Sequence, residues 1–218
     1  MSHTHHDILT LDSNWEPHAW INLEKAIQHE ATDEVIEHLG ESIFVYHGGK
    51  NRFTGEQSVL ETSSIIVVSG APSARRYKDP ALTNIALFQR DLHICAYCGN
   101  HYAPNELTRD HIWPQNPTHG PGGKDIWMNV VTACRDCNSL KGNIMPGQHL
   151  PKDNYGRQIL GPQGTGLMSP LYVPYVPCKA EHMIMKGRNV KADQMEFLLA
   201  RVKNKSSRIF DYAKSVLH

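Results

Sequence analysis

Apolar positions along this 218-residue chain fall into short, unlike blocks. Ile8-Leu9-Thr10-Leu11 reads as a strand and Ser13-Asn14-Trp15-Glu16-Pro17 as the turn after it. Asn22 stands where it caps a short helix whose apolar face carries Leu23, Ala26 and Ile27. Ser42–Tyr46 and Ser58–Ser69 are rich in Val, Ile, Phe and Thr and predict strands. Residues 1–70 therefore predict a small α+β extension. Gly70–Pro80 carries Arg75, Arg76 and Lys78 among Pro and Ser and reads as a connector; with a helix predicted over Thr83–Asp91, residues 71–94 form a basic linker and helix. From 142 to 178 the chain has few periodic apolar residues and many Gly and Pro, as in Gly161-Pro162-Gln163-Gly164, so 146–191 is assigned as an irregular wrapping segment. Met195, Leu198, Val202, Ile209, Ala213 and Val216 recur at helical steps and predict a C-terminal helix over 192–218. No internal repeat at a solenoid period is seen.

Composition narrows the class. With 40% apolar and 20% charged residues the chain reads as soluble and globular, not fibrous or disordered. No run of 18 apolar residues exists, so no membrane partner is expected. The opening MSHTHHDILTL has His where a signal peptide has Lys or Arg, and its apolar core is too short, which predicts a cytoplasmic protein and no glycan at Asn204. Net charge zero hides an asymmetry: residues 1–62 hold 11 Asp/Glu against 3 Lys/Arg, whereas the remainder holds 19 Lys/Arg against 11 Asp/Glu. A polyanion-binding face is compatible with that remainder.

Cysteine usage says more. Cys95/Cys98 and Cys134/Cys137 form two Cys-x-x-Cys turns, leaving Cys178 unpaired. In a chain read as intracellular, two such turns predict one tetrahedral zinc site before they predict disulfides. Four sulfurs leave no position for water, so the ion would be structural. The competing readings are a redox pair and unconnected thiols.

Between the pairs lie Leu107-Thr108-Arg109-Asp110-His111-Ile112-Trp113-Pro114, a Gly-rich loop, and Trp127-Met128-Asn129-Val130-Val131-Thr132-Ala133-Cys134; Asn138 and Lys141 follow the last cysteine. The pattern predicts a strand ending at Asp110–His111, a second near Val130–Val131, and a helix opening around Arg135. An ion at the four sulfurs would clamp the ends of this hairpin and bring Asp110, His111 and Asn138 together. Cys95–Lys141 resembles the HNH, or ββα-metal, endonuclease family in its Cys-x-x-Cys, Asp-His-Ile, Asn-Val-Val-Thr-Ala-Cys and Cys-x-x-Cys-Asn segments. The fold expected is thus α+β: a zinc-stapled ββα-metal module, assigned to 95–145, with an N-terminal α+β extension and a C-terminal helix.

The resemblance implies a metal-dependent DNA endonuclease. It puts the general base on His111, the bracing amide on Asn129, and the catalytic divalent ion on Asp110 and Asn138. It also implies products ending in 5′-phosphate and 3′-hydroxyl. The chemistry agrees, since an imidazole with an ordinary pKa of ~6.5 takes a water proton near neutrality. One carboxylate and one amide oxygen are hard ligands that favour Mg²⁺ or Mn²⁺. A zinc-stabilised nucleic-acid-binding module without catalysis is the alternative, and a double-strand cut by one module per chain would favour a homodimer.

Single residues also have plainer readings. Asp110 suits a turn or cap, Asn129 a loop hydrogen bond, and Asn138 a helix start. Lys141 suits either a phosphate contact or an exposed helix face. His3, His5 and His6 read as a polar terminus, His93 and His101 as surface histidines, and Cys178 as a small buried or idle thiol. Gly120-Pro121-Gly122-Gly123-Lys124 lacks phosphate-loop spacing and reads as a flexible turn. The basic stretches Arg75–Lys78 and Arg201–Arg208 suit a phosphate backbone or a solvated face.

Overall fold

A computed structural model describes residues 8–70, 79–117 and 121–217. His3, His5, His6, Arg75, Arg76, Lys78 and Gly120 lie outside the described residues. The chain divides into two compact units, Met1–Asp79 with Cys178–His218, and Pro80–Pro177. This differs from the five-segment division expected, because the C-terminal helices join the N-terminal elements.

In the first unit, β1 (Ile8–Leu11) and β6 (Ile65–Val68) are the two central, parallel strands of a four-stranded sheet. Every residue of both is buried, which is why each reads as a continuous apolar run and not as an alternation. β2 (Pro17–Ile21) and β3 (Val35–His38) flank them antiparallel. The stretch read as one strand over Ser58–Ser69 is two, since Ser64 separates β5 (Gln57–Ser63) from β6 and β5 pairs instead with β4 (Ile43–Lys50). α1 (Leu23–Ala31) opens as expected, with the Asn22 side chain accepting from the Lys25 amide at 2.9 Å.

Three helices close this unit. α4 (Lys179–Lys186) lies inside the segment assigned as irregular, and the Trp20 indole donates to the Met183 carbonyl at 2.8 Å. The single helix expected over 192–218 is two, α5 (Ala192–Leu199) and α6 (Arg208–Val216). The break follows from side chains that compete for backbone: Asn204 Oδ1 accepts from the Ser206 amide, and Ser207 Oγ caps α6 at Phe210. Met195, Leu198, Val202, Ile209 and Ala213 are buried as the stripe required, but Val216 is exposed. Asp193 binds α5 to the sheet region, its Oδ2 accepting from the Glu41 and Ser42 amides and the Ser64 hydroxyl.

The second unit holds α2 (Asn84–Arg90), the antiparallel pair β7 (Leu107–His111) and β8 (Val130–Cys134), and α3 (Arg135–Lys141). Residues 142–177 are irregular as expected, with Leu150 and Met168 buried against Cys95, Ala96, Tyr97 and the other cysteine turn. Arg90 and Asp91 are fully buried and organise the interior. Arg90 pairs with Asp91 at 2.8 Å and donates to the Trp127, Val130 and Tyr175 carbonyls, while Asp91 Oδ2 accepts from the Thr132 amide. One guanidinium thereby satisfies three backbone acceptors from two segments, the run entering β8 and the stretch around Tyr175. Removing one member of such a pair leaves a buried, uncompensated charge. Arg90→Met is expected to lower unfolding free energy by about 3 kcal/mol or more in urea denaturation; a loss below about 1 kcal/mol would show that Asp91 and the carbonyls find other partners.

Candidate functional site

The site grows from the two cysteine turns. Gly99 lets the first turn close in the left-handed region (φ +75°), and the Tyr97 amide donates to Cys95 Sγ at 3.4 Å. The second turn joins β8 to α3. Ala96 N donates to Thr132 O at 2.7 Å, so backbone pairing brings the turns side by side. All four sulfurs, of Cys95, Cys98, Cys134 and Cys137, lie within 4.8 Å of one another. Four tetrahedral Zn–S bonds of ~2.3 Å need that spread or less, and the donor set is the soft one zinc prefers. Burial pushes the Cys95 and Cys137 thiols up, and for Cys137 the neighbouring sulfurs add to it. Cys98 goes the other way: burial raises it, but hydrogen bonds from Tyr102 and the Asn100 backbone outweigh that. A divalent cation is what lets four such thiolates share one place. The cluster fits zinc. His93 and His101 are not part of it; their rings meet at a tilt of 48°, centroids 5.9 Å apart.

From this frame β7 runs to Asp110 and His111, paired with Val131 and Val130. Alternation along the strand sends consecutive side chains to opposite faces. Asp110 goes inward, 4% exposed, and is held by the Tyr97 hydroxyl and by Lys141 Nζ at 3.0 Å. Lys141 is thus neither an exposed helix lysine nor open to substrate: it is buried and also donates to the His111 carbonyl at 2.8 Å. Burial pushes the Asp110 carboxyl up against the pull of Lys141 and Tyr97. Burial and the Asp110 carboxylate push the Tyr97 hydroxyl far up, so Tyr97 is the donor of that pair.

His111 stays partly open, and its Nε2 lies 2.9 Å from Asp125 Oδ1. Arg109 Nη1 holds both oxygens of Asp125, at 2.8 and 2.6 Å. Burial is the largest single influence and raises the Asp125 carboxyl, but Arg109 and His111 together bring it below its ordinary value. Sequence reasoning missed Asp125, because nothing in the Gly-rich loop marks it as a partner of a strand 14 residues earlier.

Asn129 sits where a loop brace must. Its Oδ1 accepts from the Trp113 amide at 3.0 Å, and its Nδ2 donates to the Trp113 and Lys124 carbonyls. Of the stretch expected as a flexible turn, the described part, 121–124, includes closely packed backbone: a Cβ on Gly123 would lie 1.9 Å from the Trp113 carbonyl oxygen. Asn138 Nδ2 donates to Thr108 Oγ1 at 2.9 Å, so its oxygen is the end left for a cation. Arg109, Asp110, His111 and Asn138, with Pro114, Gln115, Asn116, Gly142 and Asn143, line one cleft of about 190 Å³. An ionised carboxylate has about four lone-pair sites, so Asp110 retains acceptor capacity beside Tyr97 and Lys141. Carboxylate and amide oxygens are the hard donors a divalent ion such as Mg²⁺ prefers; among the described residues the group of three or more close His, Cys, Asp or Glu ligand atoms is the cysteine cluster.

Residues 95–150 match the family model described as HNH endonuclease. The Type II-C Cas9 enzyme from Actinomyces naeslundii is similar at 17% identity over 64% of this chain, with a TM-score of 0.26; the match spans only 13% of the Cas9 chain. No curated protein matches. The geometry itself makes a prediction. Asn129→Ala hands three exposed backbone groups over to water, and about 1 kcal/mol of stability should go with them. Hydrogen exchange checks it: the Trp113 amide should exchange faster in the variant, and an unchanged rate would remove Asn129 as the brace.

Proposed function

We propose that the HNH endonuclease module formed by residues 95–150 hydrolyses phosphodiester bonds in DNA, with His111 as the base. The observation that carries the reading is the shared cleft: His111, Asp110 and Asn138 are lining residues of one concavity. A divalent ion, Mg²⁺ or Mn²⁺, would be held by Asp110 and Asn138, and when bound it supplies Lewis-acid stabilisation of charge on the phosphate and the leaving oxygen. Zinc would be held by Cys95, Cys98, Cys134 and Cys137 as a structural ion, with all four positions taken by sulfur.

Each side chain has a definable task. With Nε2–H donated to Asp125, the His111 lone pair sits on Nδ1, the form that accepts a proton from water. Asp125 fixes that tautomer, and Arg109 fixes Asp125. Lys141, through the His111 carbonyl, holds the end of β7 in place. Asn129 keeps the loop that follows His111 closed on itself. Two carboxylates, Asp110 and Asp125, face two cations, Arg109 and Lys141, in ion pairs. The protein therefore offers no surplus negative charge to a free divalent ion, and the phosphate of the substrate brings it. Ion and DNA are expected to bind together.

One observation favours the alternative, a zinc-stabilised binding module without catalysis: both oxygens of Asp110 already have protein partners. Plasmid incubated with Mg²⁺ or Mn²⁺ and with an EDTA control separates the readings. Metal-dependent nicking is expected, and retained binding without nicking under either metal would favour the alternative. His111→Ala should abolish nicking while zinc content and the circular dichroism spectrum stay unchanged; undiminished cleavage would remove His111 as the base. Asp125→Asn should slow the reaction by about tenfold or more, the usual scale for losing a histidine's orienting carboxylate. A rate equal to the parent's would show that the pairing with His111 does nothing in turnover.

A further inference from the structure

Outside the cleft, the unit of residues 8–70 and 178–217 contains a cavity of about 370 Å³ lined by Glu16, Pro17, Cys178, Lys179, Ala180, Arg201 and Lys203. Three cations meet one carboxylate there. Arg201 is the informative member. Its guanidinium carbon sits 3.6 Å from the Phe197 ring centroid, and Nη1 donates to the Phe197 carbonyl at 3.1 Å. Stacking and that bond fix the plane of the fork and spend one of its five N–H donors. Among the described residues no carboxylate oxygen lies within 4.0 Å of the Lys179, Arg201 or Lys203 nitrogens. A half-buried, pre-ordered guanidinium pays desolvation that its Phe197 contacts and the more distant Glu16 return only in part, since no carboxylate pairs with it directly. Burial lowers the Arg201 pKa accordingly, with Glu16 opposing.

The chain's architecture converges on this spot. Arg201 and Lys203 come from the break between α5 and α6, and Lys179 comes from the first turn of α4, where partial positive charge accumulates. A planar fork beside two ammonium groups suits a tetrahedral oxyanion better than a planar carboxylate, since several oxygens can each meet a different donor. We propose that this cavity is an anchor for a backbone phosphate of the nucleic-acid substrate. The source of the phosphate rests on the nuclease reading above; the preference for a phosphate oxyanion rests on the cavity alone. Such an anchor positions the duplex without reading its sequence.

The test measures binding of a short labelled duplex to the full chain carrying His111→Ala, by fluorescence anisotropy between about 50 and 200 mM salt. Lys203 is exposed, so Lys203→Glu keeps the fold; Arg201→Gln is made beside it, with circular dichroism as the control. Each variant should bind more weakly, alike for unrelated duplex sequences, and the slope of log affinity against log salt should shrink by about one. Affinity and slope equal to the parent's in Lys203→Glu would overturn the anchor. A second arm uses inorganic phosphate: it should raise the melting temperature of the parent and not of Arg201→Gln. Phosphate stabilisation together with unchanged duplex binding would overturn the backbone assignment in favour of a free phosphate compound. The nuclease reading is tested apart, because duplex binding with this salt signature and no nicking by the His111-containing chain would sink catalysis and leave the anchor standing.

Discussion

Four sulfurs held within 4.8 Å of one another are the constraint on which the 80–177 unit depends. Uncharged, they are a buried cluster of small apolar groups; as thiolates they repel unless a cation joins them. Such a cation would tie the turn before β7 to the turn after β8, which are 35 residues apart in the chain. Little else in the sequence would fix the ends of a two-stranded sheet, since such a pair is marginal alone in water. The buried Arg90–Asp91 pair is the second support, gathering carbonyls that the short sheet leaves without partners. With zinc bound, metal and ion pair together would do here what a larger apolar core does elsewhere.

Given that frame, the cleft follows from strand geometry. Pairing of Asp110 with Val131 and His111 with Val130 sets two neighbouring residues on opposite faces. One side chain is buried against Tyr97 and Lys141; the other stays partly open beside Asp125. A shift of one residue in register would exchange them, burying the imidazole and exposing the carboxylate. Asn129 and the close approach of Gly123 to Trp113 hold the intervening loop, so the register is fixed at the open end as well as at the cysteine end.

What could be read from the sequence was what is encoded locally. The cysteine turns, the helix cap at Asn22, the strand ending at His111 and the helix after Cys134 each rest on residues a few positions apart. The ββα order and the family of residues 95–150 were legible for the same reason. Partners chosen by tertiary packing were not. Asp125 lies in a glycine-rich loop without a motif, Lys141 resembles any solvent-facing helix lysine, and Tyr97 reads as spacing between two cysteines. Ser64 divides a run that looks like one long strand, and the Asn204–Ser207 turn divides one that looks like a long helix. In both cases hydrophobic periodicity carried across a break made by short polar side chains.

The central claim is that a tetrathiolate ion shapes this unit, and X-ray absorption at the zinc edge tests it on the purified chain. The account predicts one zinc per chain with four sulfur neighbours at ~2.3 Å and no nitrogen or oxygen in the inner shell. Absence of tightly held zinc, or a shell of mixed light-atom ligands, would contradict it.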